Sequence, residues 1–231
     1  MKRFWITVGV EPCEGGHRIT LDGRPIRTQG GNPQAVPTRE LAEAMADEWR
    51  GQGEQVDPKA FPLRDLADYA IDHVRGDREG TVAKLLGYAE TDTLCYRADP
   101  DEALYRRQRE LWDPLLAGLE ARHGVRLEPV SGIVHRAQPE PAMAALRAAL
   151  LDEDAFTLSA LHALAPLAAS LTVALAALEP GADPAALFDA ANCEQDWQAE
   201  LWGWDLEAER TRAAKLAAFE SAARFARLAR G

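Results

Sequence analysis

The sequence is poor in the features that mark several large function classes. Its three cysteines, Cys13, Cys95 and Cys193, are scattered and odd in number. They form no disulfide framework, and no Cys-x-x-Cys pair offers a zinc site. All three are expected to be reduced, in a cytosol-like compartment. No apolar run reaches the roughly 18 residues of a membrane span. The richest, Leu158 to Leu178, is interrupted by His162, Pro166, Ser170 and Thr172 and reads as a buried helix. Met1-Lys2-Arg3 leads into neither an apolar stretch of signal-peptide length nor a long Arg/Ser-rich transit segment. Positive charge is also short, with 26 Lys and Arg against 37 Asp and Glu and a net charge of −11. Nucleic acid and anionic membranes reward a basic face, so neither is an expected partner. The balance fits a partner with a basic patch, or an acidic coat that keeps the protein soluble.

Catalytic motifs are missing as well. None of His17, His73, His123, His135 and His162 lies three or four residues from another, which removes helix-borne zinc. The glycines form neither G-x-x-x-x-G-K-[ST] nor G-x-G-x-x-G, and there is no G-x-S-x-G elbow. No metal and no cofactor is expected.

What is present is a 231-residue chain, 47% apolar, long enough for one large domain or two small ones. Its texture changes near residue 62. Before that point segments are short and punctuated by glycine and proline. Phe4 to Val10 reads as a strand. His17 to Leu21 and Arg24 to Thr28, joined by Asp22-Gly23, read as a hairpin, because Asp-Gly supplies the positive φ of a tight turn. Thr38 caps a helix through Trp49, with Leu41, Met45 and Trp49 on one face.

From Leu63 onward the pattern is helical. Helices are predicted over Leu63–Val74, Thr81–Glu90, Asp101–His123, Pro141–Leu151, Asp154–Leu178, a segment opened by Asp183-Pro184, and Trp204–Leu228. A break or kink is expected at Trp112-Asp113-Pro114, where Asp precedes Pro as at a helix start. Val125 to Val130 reads as a short extended piece. The expected class is α+β, a small β-rich domain with one helix over 1–62 followed by a larger all-helical domain over 63–231.

Two segments carry candidate chemistry. Glu194-Gln195-Asp196-Trp197-Gln198-Ala199-Glu200-Leu201-Trp202-Gly203 places two tryptophans among three acids. Aromatics give contact area at low entropic cost and acids give register, the mixture of a protein-binding surface. Glu194, Asp196 and Glu200 also read as a general acid/base set or as magnesium ligands, but Glu194 and Asp196 diverge on a helix, and Asp196 and Glu200, which share a face at i,i+4, are most often a plain solvated face. Gly203 reads as the residue that ends one helix before the next. Thr91-Asp92-Thr93-Leu94-Cys95-Tyr96-Arg97 reads in two ways. Asp92, Cys95 and Arg97 form a catalytic loop in a cleft between the domains, with a histidine such as His73 or His135 in reach. Alternatively the threonines and Asp92 cap helices while Tyr96 and Arg97 brace a junction.

Several runs taken in order resemble one known family. They are Ile19-Thr20-Leu21-Asp22-Gly23-Arg24-Pro25, Val36-Pro37, Glu48-Trp49, Phe61-Pro62-Leu63, the Thr91–Arg97 segment, Trp112-Asp113-Pro114, His123-Gly124-Val125, Trp197-Gln198 and Trp202-Gly203. Across nearly its whole length the chain is similar to the assembly chaperones for the alpha subunit of F-type ATP synthase, the mitochondrial assembly factor two type and its bacterial relatives. The resemblance implies a monomeric, non-enzymatic chaperone that holds the free alpha subunit until beta replaces it. It implies partner contacts from Glu194, Asp196, Trp197, Gln198, Glu200 and Trp202, with Trp49, Asp92, Arg97, Trp112 and Gly203 as structural residues. The family's functional acid maps best onto Glu194, with Asp196 and Glu200 as alternates. The chain departs from the pattern at Gln195, where relatives often carry a second acid, and at Leu201, where a polar residue is common. The bacterial cytoplasm is the expected site of action, or the mitochondrial matrix if a presequence has been removed. The competing expectations are the small enzyme built on Asp92–Arg97 and a structural adaptor that stays in the finished synthase.

Overall fold

The computed structural model describes residues 2–132 and 134–231, and among these the fold is α+β. The described residues form two compact units. Among the described residues the first contains 2–78, 154–160 and 224–231, and the second contains 79–132, 134–153 and 161–223.

The first unit is built on an antiparallel meander of β1 (Val8–Cys13), β2 (Gly16–Leu21) and β3 (Arg24–Pro25). Val8 pairs with Leu21 and Cys13 with Gly16, and Leu21 pairs with Arg24 across Asp22-Gly23. Both turn residues have positive φ, 51° and 76°, as the Asp-Gly signal requires. Gly16 is fixed sterically, because a Cβ there would lie 2.1 Å from the Val36 carbonyl oxygen.

The first strand begins four residues later than the predicted Phe4. The Asp22 carboxylate accepts from the backbone N–H of Ile6 (3.0 Å) and of Thr7 (2.7 Å). A turn side chain has therefore taken donors that a ladder would use, and pairing starts at Val8.

Helix α1 (Arg39–Arg50) covers the sheet. Thr38 caps it by accepting from Leu41 N–H at 3.1 Å, and Leu41, Met45 and Trp49 are buried. Trp49 is wedged between Trp5 (centroids 5.0 Å apart) and Phe61 (4.6 Å). Helix α2 (Pro62–Tyr69) runs into a π-helical turn at Ala70–Val74. Glu48 caps its start, accepting from Leu63 N–H at 2.7 Å and Arg64 N–H at 3.0 Å. Burial pushes the Glu48 carboxyl up to about 7, against the pull of those two hydrogen bonds.

The second unit holds α3 (Arg78–Glu90), α4 (Ala103–His123), α5 (Glu140–Asp152), most of α6 (Ala155–Ala168), α7 (Leu171–Ala176), α8 (Pro184–Ala191), α9 (Cys193–Trp202) and most of α10 (Leu206–Arg230). It is not purely helical. Two short parallel strands, β4 (Tyr96–Arg97) and β5 (Val130–Ser131), pair within it. The extended reading of Val125–Val130 narrows to β5. Trp112, Leu119, Leu146, Leu164, Phe188 and Phe219 are buried in its core.

Two helix boundaries differ from expectation. α4 continues through Trp112-Asp113-Pro114 instead of breaking. Asp113 does not cap, because its carboxylate meets Arg97 and Arg109, each at 3.0 Å, while the Trp112 indole N–H donates to the Ala190 carbonyl at 2.6 Å. The long apolar segment is instead two helices. Ala169 takes φ 47°, and Ser170 starts α7 by accepting from Val173 N–H at 3.0 Å.

Candidate functional site

The Asp92–Arg97 segment is the hinge of the second unit's hydrogen bonding. Asp92 is fully buried and accepts from Leu94 N–H (3.1 Å), Thr172 N–H (2.9 Å) and Thr172 Oγ1 (2.8 Å). It therefore satisfies donors at the start of α7, which is why a helix begins there. Burial raises its pKa, opposed by those donors and the Ser170 hydroxyl. Arg97 donates from Nε to the Leu94 carbonyl at 2.7 Å, pairs with Asp113, and lies 5.1 Å from the Trp112 ring centroid.

Cys95 is 1% exposed, and burial, helped by the Asp92 charge, pushes its thiol up to about 12. A nucleophilic cysteine needs the reverse shift. His135 is exposed, its Nδ1 3.2 Å from the Tyr96 hydroxyl and its Nε2 3.5 Å from Glu90. Among the described residues no three His, Cys, Asp or Glu side chains are grouped to hold a metal ion.

The Glu194–Gly203 run is α9 and its end. Its acids face different surroundings. Asp196 is gripped by Arg212 of α10 through two hydrogen bonds of 2.8 and 2.6 Å, and Arg212 also reaches Asp189 at 2.7 Å. Glu200 is gripped by Arg107 of α4 at 2.8 and 2.6 Å, and the same guanidinium lies 5.7 Å from the Trp197 centroid. These two ion pairs tie α9 to α10 and to α4. The Arg212–Asp196 pair is bidentate, Nε and Nη2 each meeting one oxygen, and fixes direction as well as distance, whereas Arg107 reaches both Glu200 oxygens from Nη1 alone.

Glu194 has no cationic partner among the described residues. It accepts from the Gln108 amide at 2.5 Å, and Gln108, itself fully buried, accepts from Ala98 N–H at 2.9 Å. The Glu194 residue is open to solvent, yet protein crowds its carboxyl enough for desolvation to raise its pKa. Gln198 is exposed beside it.

Beyond Glu200 cover disappears, and every residue from Glu200 to Thr211 is exposed. Gly203 ends α9 with φ 86°, and Asp205 opens α10 by accepting from Ala208 N–H at 3.2 Å. The resulting elbow displays Leu201 (60% exposed), Trp202 (85%), Trp204 (44%) and Leu206 (59%) in six residues. Single exposed apolar side chains are ordinary on a protein surface, but four together on a braced elbow mark an interaction surface. Arg212 lies 5.8 Å from the Trp204 centroid, so the clamp that holds Asp196 also holds one of the display residues.

The sequence pattern points to Trp202 as a contact and to Leu201 only as a departure from the family, and gives no such role to Trp204 or Leu206. It also missed Arg107, Arg212 and Gln108. Gln108 lies 86 positions before Glu194, and no local periodicity connects them. The mixed Leu-Trp-Gly-Trp-Asp-Leu spelling of 201–206 is the one local signal, since a buried elbow seldom carries two tryptophans around a glycine.

The comparisons with known proteins agree with this architecture. Residues 2–120 match the family model described as ATP12 chaperone protein. The structure of Atp12 from Paracoccus denitrificans is 39% identical, with a TM-score of 0.93 over 99% of this chain and 98% of that one. An aspartate-to-lysine variant of the Paracoccus protein gives the same identity and TM-score over 99% and 97%. A protein of Agrobacterium tumefaciens is 37% identical, with a TM-score of 0.93 over 98% of this chain and 85% of that one. This chain belongs to the ATP12 chaperone family. As a family member it places α9 and the elbow beyond the part that the family model matches. No helix among its described residues is long and apolar enough to cross a membrane.

Proposed function

We propose that this chaperone binds the free alpha subunit of F-type ATP synthase through the α9–α10 elbow and shields its subunit interface until beta displaces it. The observation that carries the reading is the exposed Leu201, Trp202, Trp204 and Leu206 set beside a helix braced by the Arg107–Glu200 and Arg212–Asp196 ion pairs. A lone alpha subunit presents apolar interface that aggregates when uncovered. A cap for it must leave when beta arrives, which calls for a small aromatic anchor with a polar rim in place of a large dry interface. A permanent adaptor would instead need the large dry interface.

Glu194 supplies the flanking charge, and Trp202 the central contact. Trp197, Asp196 and Glu200 hold α9 in place, and Gln198 lies on the exposed side. The protein acts as a monomer in the bacterial cytoplasm, without cofactor and without catalysis. The capped, hydrogen-bonded Asp92 and the protonated Cys95 thiol favour this reading over an enzyme at Asp92–Arg97. The test is co-expression of the alpha subunit with wild-type or Trp202→Ala chaperone, scored as soluble alpha. The proposal expects soluble alpha with the wild type and aggregated alpha with the variant. Equal yields would remove Trp202 from the site.

A further inference from the structure

The largest cavity described lies within the first unit, far in sequence from α9. It has a volume of about 760 Å³, within the ~300–1,000 Å³ range of ligand sites. Three arginines line it, Arg18, Arg27 and Arg75, against one acid, Glu14. Arg18 is paired with Glu11, so the positive charge left uncompensated by an ion pair in the lining is that of Arg27 and Arg75. The walls between the arginines are aliphatic, from Pro25, Ile26, Pro33, Ala35 and Ile71, and no aromatic ring lines the pocket.

Each guanidinium is oriented by the protein. Arg18 is held by Glu11, with Nε at 2.8 Å and Nη2 at 2.7 Å. Arg27 donates from Nη1 to the Gly31 carbonyl at 2.8 Å. Arg75 lies 5.4 Å from the Phe156 ring centroid. Among the described residues neither Arg27 nor Arg75 meets a carboxylate, so both line the pocket with guanidinium donors available to a ligand. The floor is fixed too. Gln34 is 2% exposed and donates to Asp68 at 2.5 Å, while the neighbouring loop is pinned to Asp72 by Thr28, Gly30 and Asn32. A Cβ on Gly30 would lie 2.7 Å from the Asp72 carboxyl, so the close approach of the loop depends on glycine.

We infer that this pocket is a second binding site, one for a short acidic peptide segment in which a glutamate or aspartate is flanked by aliphatic side chains. The two arginine forks without carboxylate partners fit carboxylate oxygens, and the aliphatic walls fit Leu, Val or Ile side chains next to them. A nucleotide is disfavoured by the lack of a stacking ring, and a free phosphate makes no use of the apolar walls. The inference stands apart from the elbow, since it uses other residues in the other unit.

The probe is a dye-labelled, end-capped peptide alternating glutamate with leucine and valine. Its binding to the intact protein is followed by fluorescence anisotropy at low salt, beside its glutamine counterpart, glutarate and inorganic phosphate. The expected result is saturable binding of the acidic peptide, at least about tenfold weaker for the glutamine peptide. Arg27→Gln and Arg75→Gln should each weaken it about tenfold with unchanged melting curves, and Trp202→Ala should leave it unaltered. Equal binding of the glutamine peptide, full binding by both arginine variants, or competition by phosphate alone would overturn the assignment. An Arg75→Gln variant that melts early is replaced by Arg75→Lys, which keeps charge but loses the fork and should still weaken binding.

Discussion

Arg212 is the residue whose removal should cost the elbow most. It makes two hydrogen bonds to Asp196 and one to Asp189, and it lies over Phe188 and Trp204. Its side chain is 20% exposed and that of Asp196 18%, so the pair lies between a surface bridge and a buried one. Exposed bridges contribute roughly 0.2–1 kcal/mol, and breaking a buried pair costs about 3–5 kcal/mol. Arg212→Met keeps much of the apolar stem, so a loss of about 2–3 kcal/mol is expected, chiefly from leaving Asp196 without its cation. For a chain of this length that lowers Tm by roughly 4–10 °C. Asp196→Asn should cost less, and the double variant should lose clearly less than the sum of the two. A coupling of about 1.5–2 kcal/mol is the expected reading of the cycle. Thermal melts of all four proteins measure it, and strictly additive losses would refute the clamp.

Three further outcomes follow from the same geometry. Trp49→Arg places a charge between Trp5 and Phe61 and should cost about 3–5 kcal/mol, seen as low soluble yield and an early melt; a wild-type melting curve would contradict the packing. Between about pH 4.5 and 7 the folded state keeps a proton on Glu48 that the unfolded chain releases, so stability falls as pH rises through that window, by about 2 kcal/mol once partial exposure to screening water is allowed for. Chemical denaturation at pH 5.5 and 7.5 should show a steeper fall for the wild type than for Glu48→Gln, and identical slopes would exclude the effect. Glu194→Gln keeps an acceptor for Gln108 and removes only charge, whereas Glu194→Lys also strands the buried Gln108 amide at about 1–3 kcal/mol; the two should differ in Tm, and equal melts would show that the hydrogen bond is unimportant.

The elements that the sequence made legible are those governed by neighbours along the chain. Asp22-Gly23 sets a turn by its own φ values, and Thr38 caps α1 three residues away. The misread boundaries each depend on a distant group. β1 starts late because Asp22 captures the Ile6 and Thr7 donors, and α7 separates from α6 where Ser170 and Asp92 supply new caps. α4 survives Pro114 where Asp113 turns to Arg97 and Arg109 instead of capping. The candidate site divides in the same way. The Trp and acid content of 194–203 is visible in a string of letters. Which acids are held by arginine is decided by residues 16 to 93 positions away.

The most direct test of the central claim is recovery of the tagged protein from its host's lysate, beside Trp202→Ala and Glu194→Gln. The account predicts that the wild type brings down the ATP synthase alpha subunit without beta, that Trp202→Ala brings down little, and that Glu194→Gln falls between. Absence of alpha from the wild-type eluate while free alpha is present in the lysate, or equal recovery by Trp202→Ala, would contradict it.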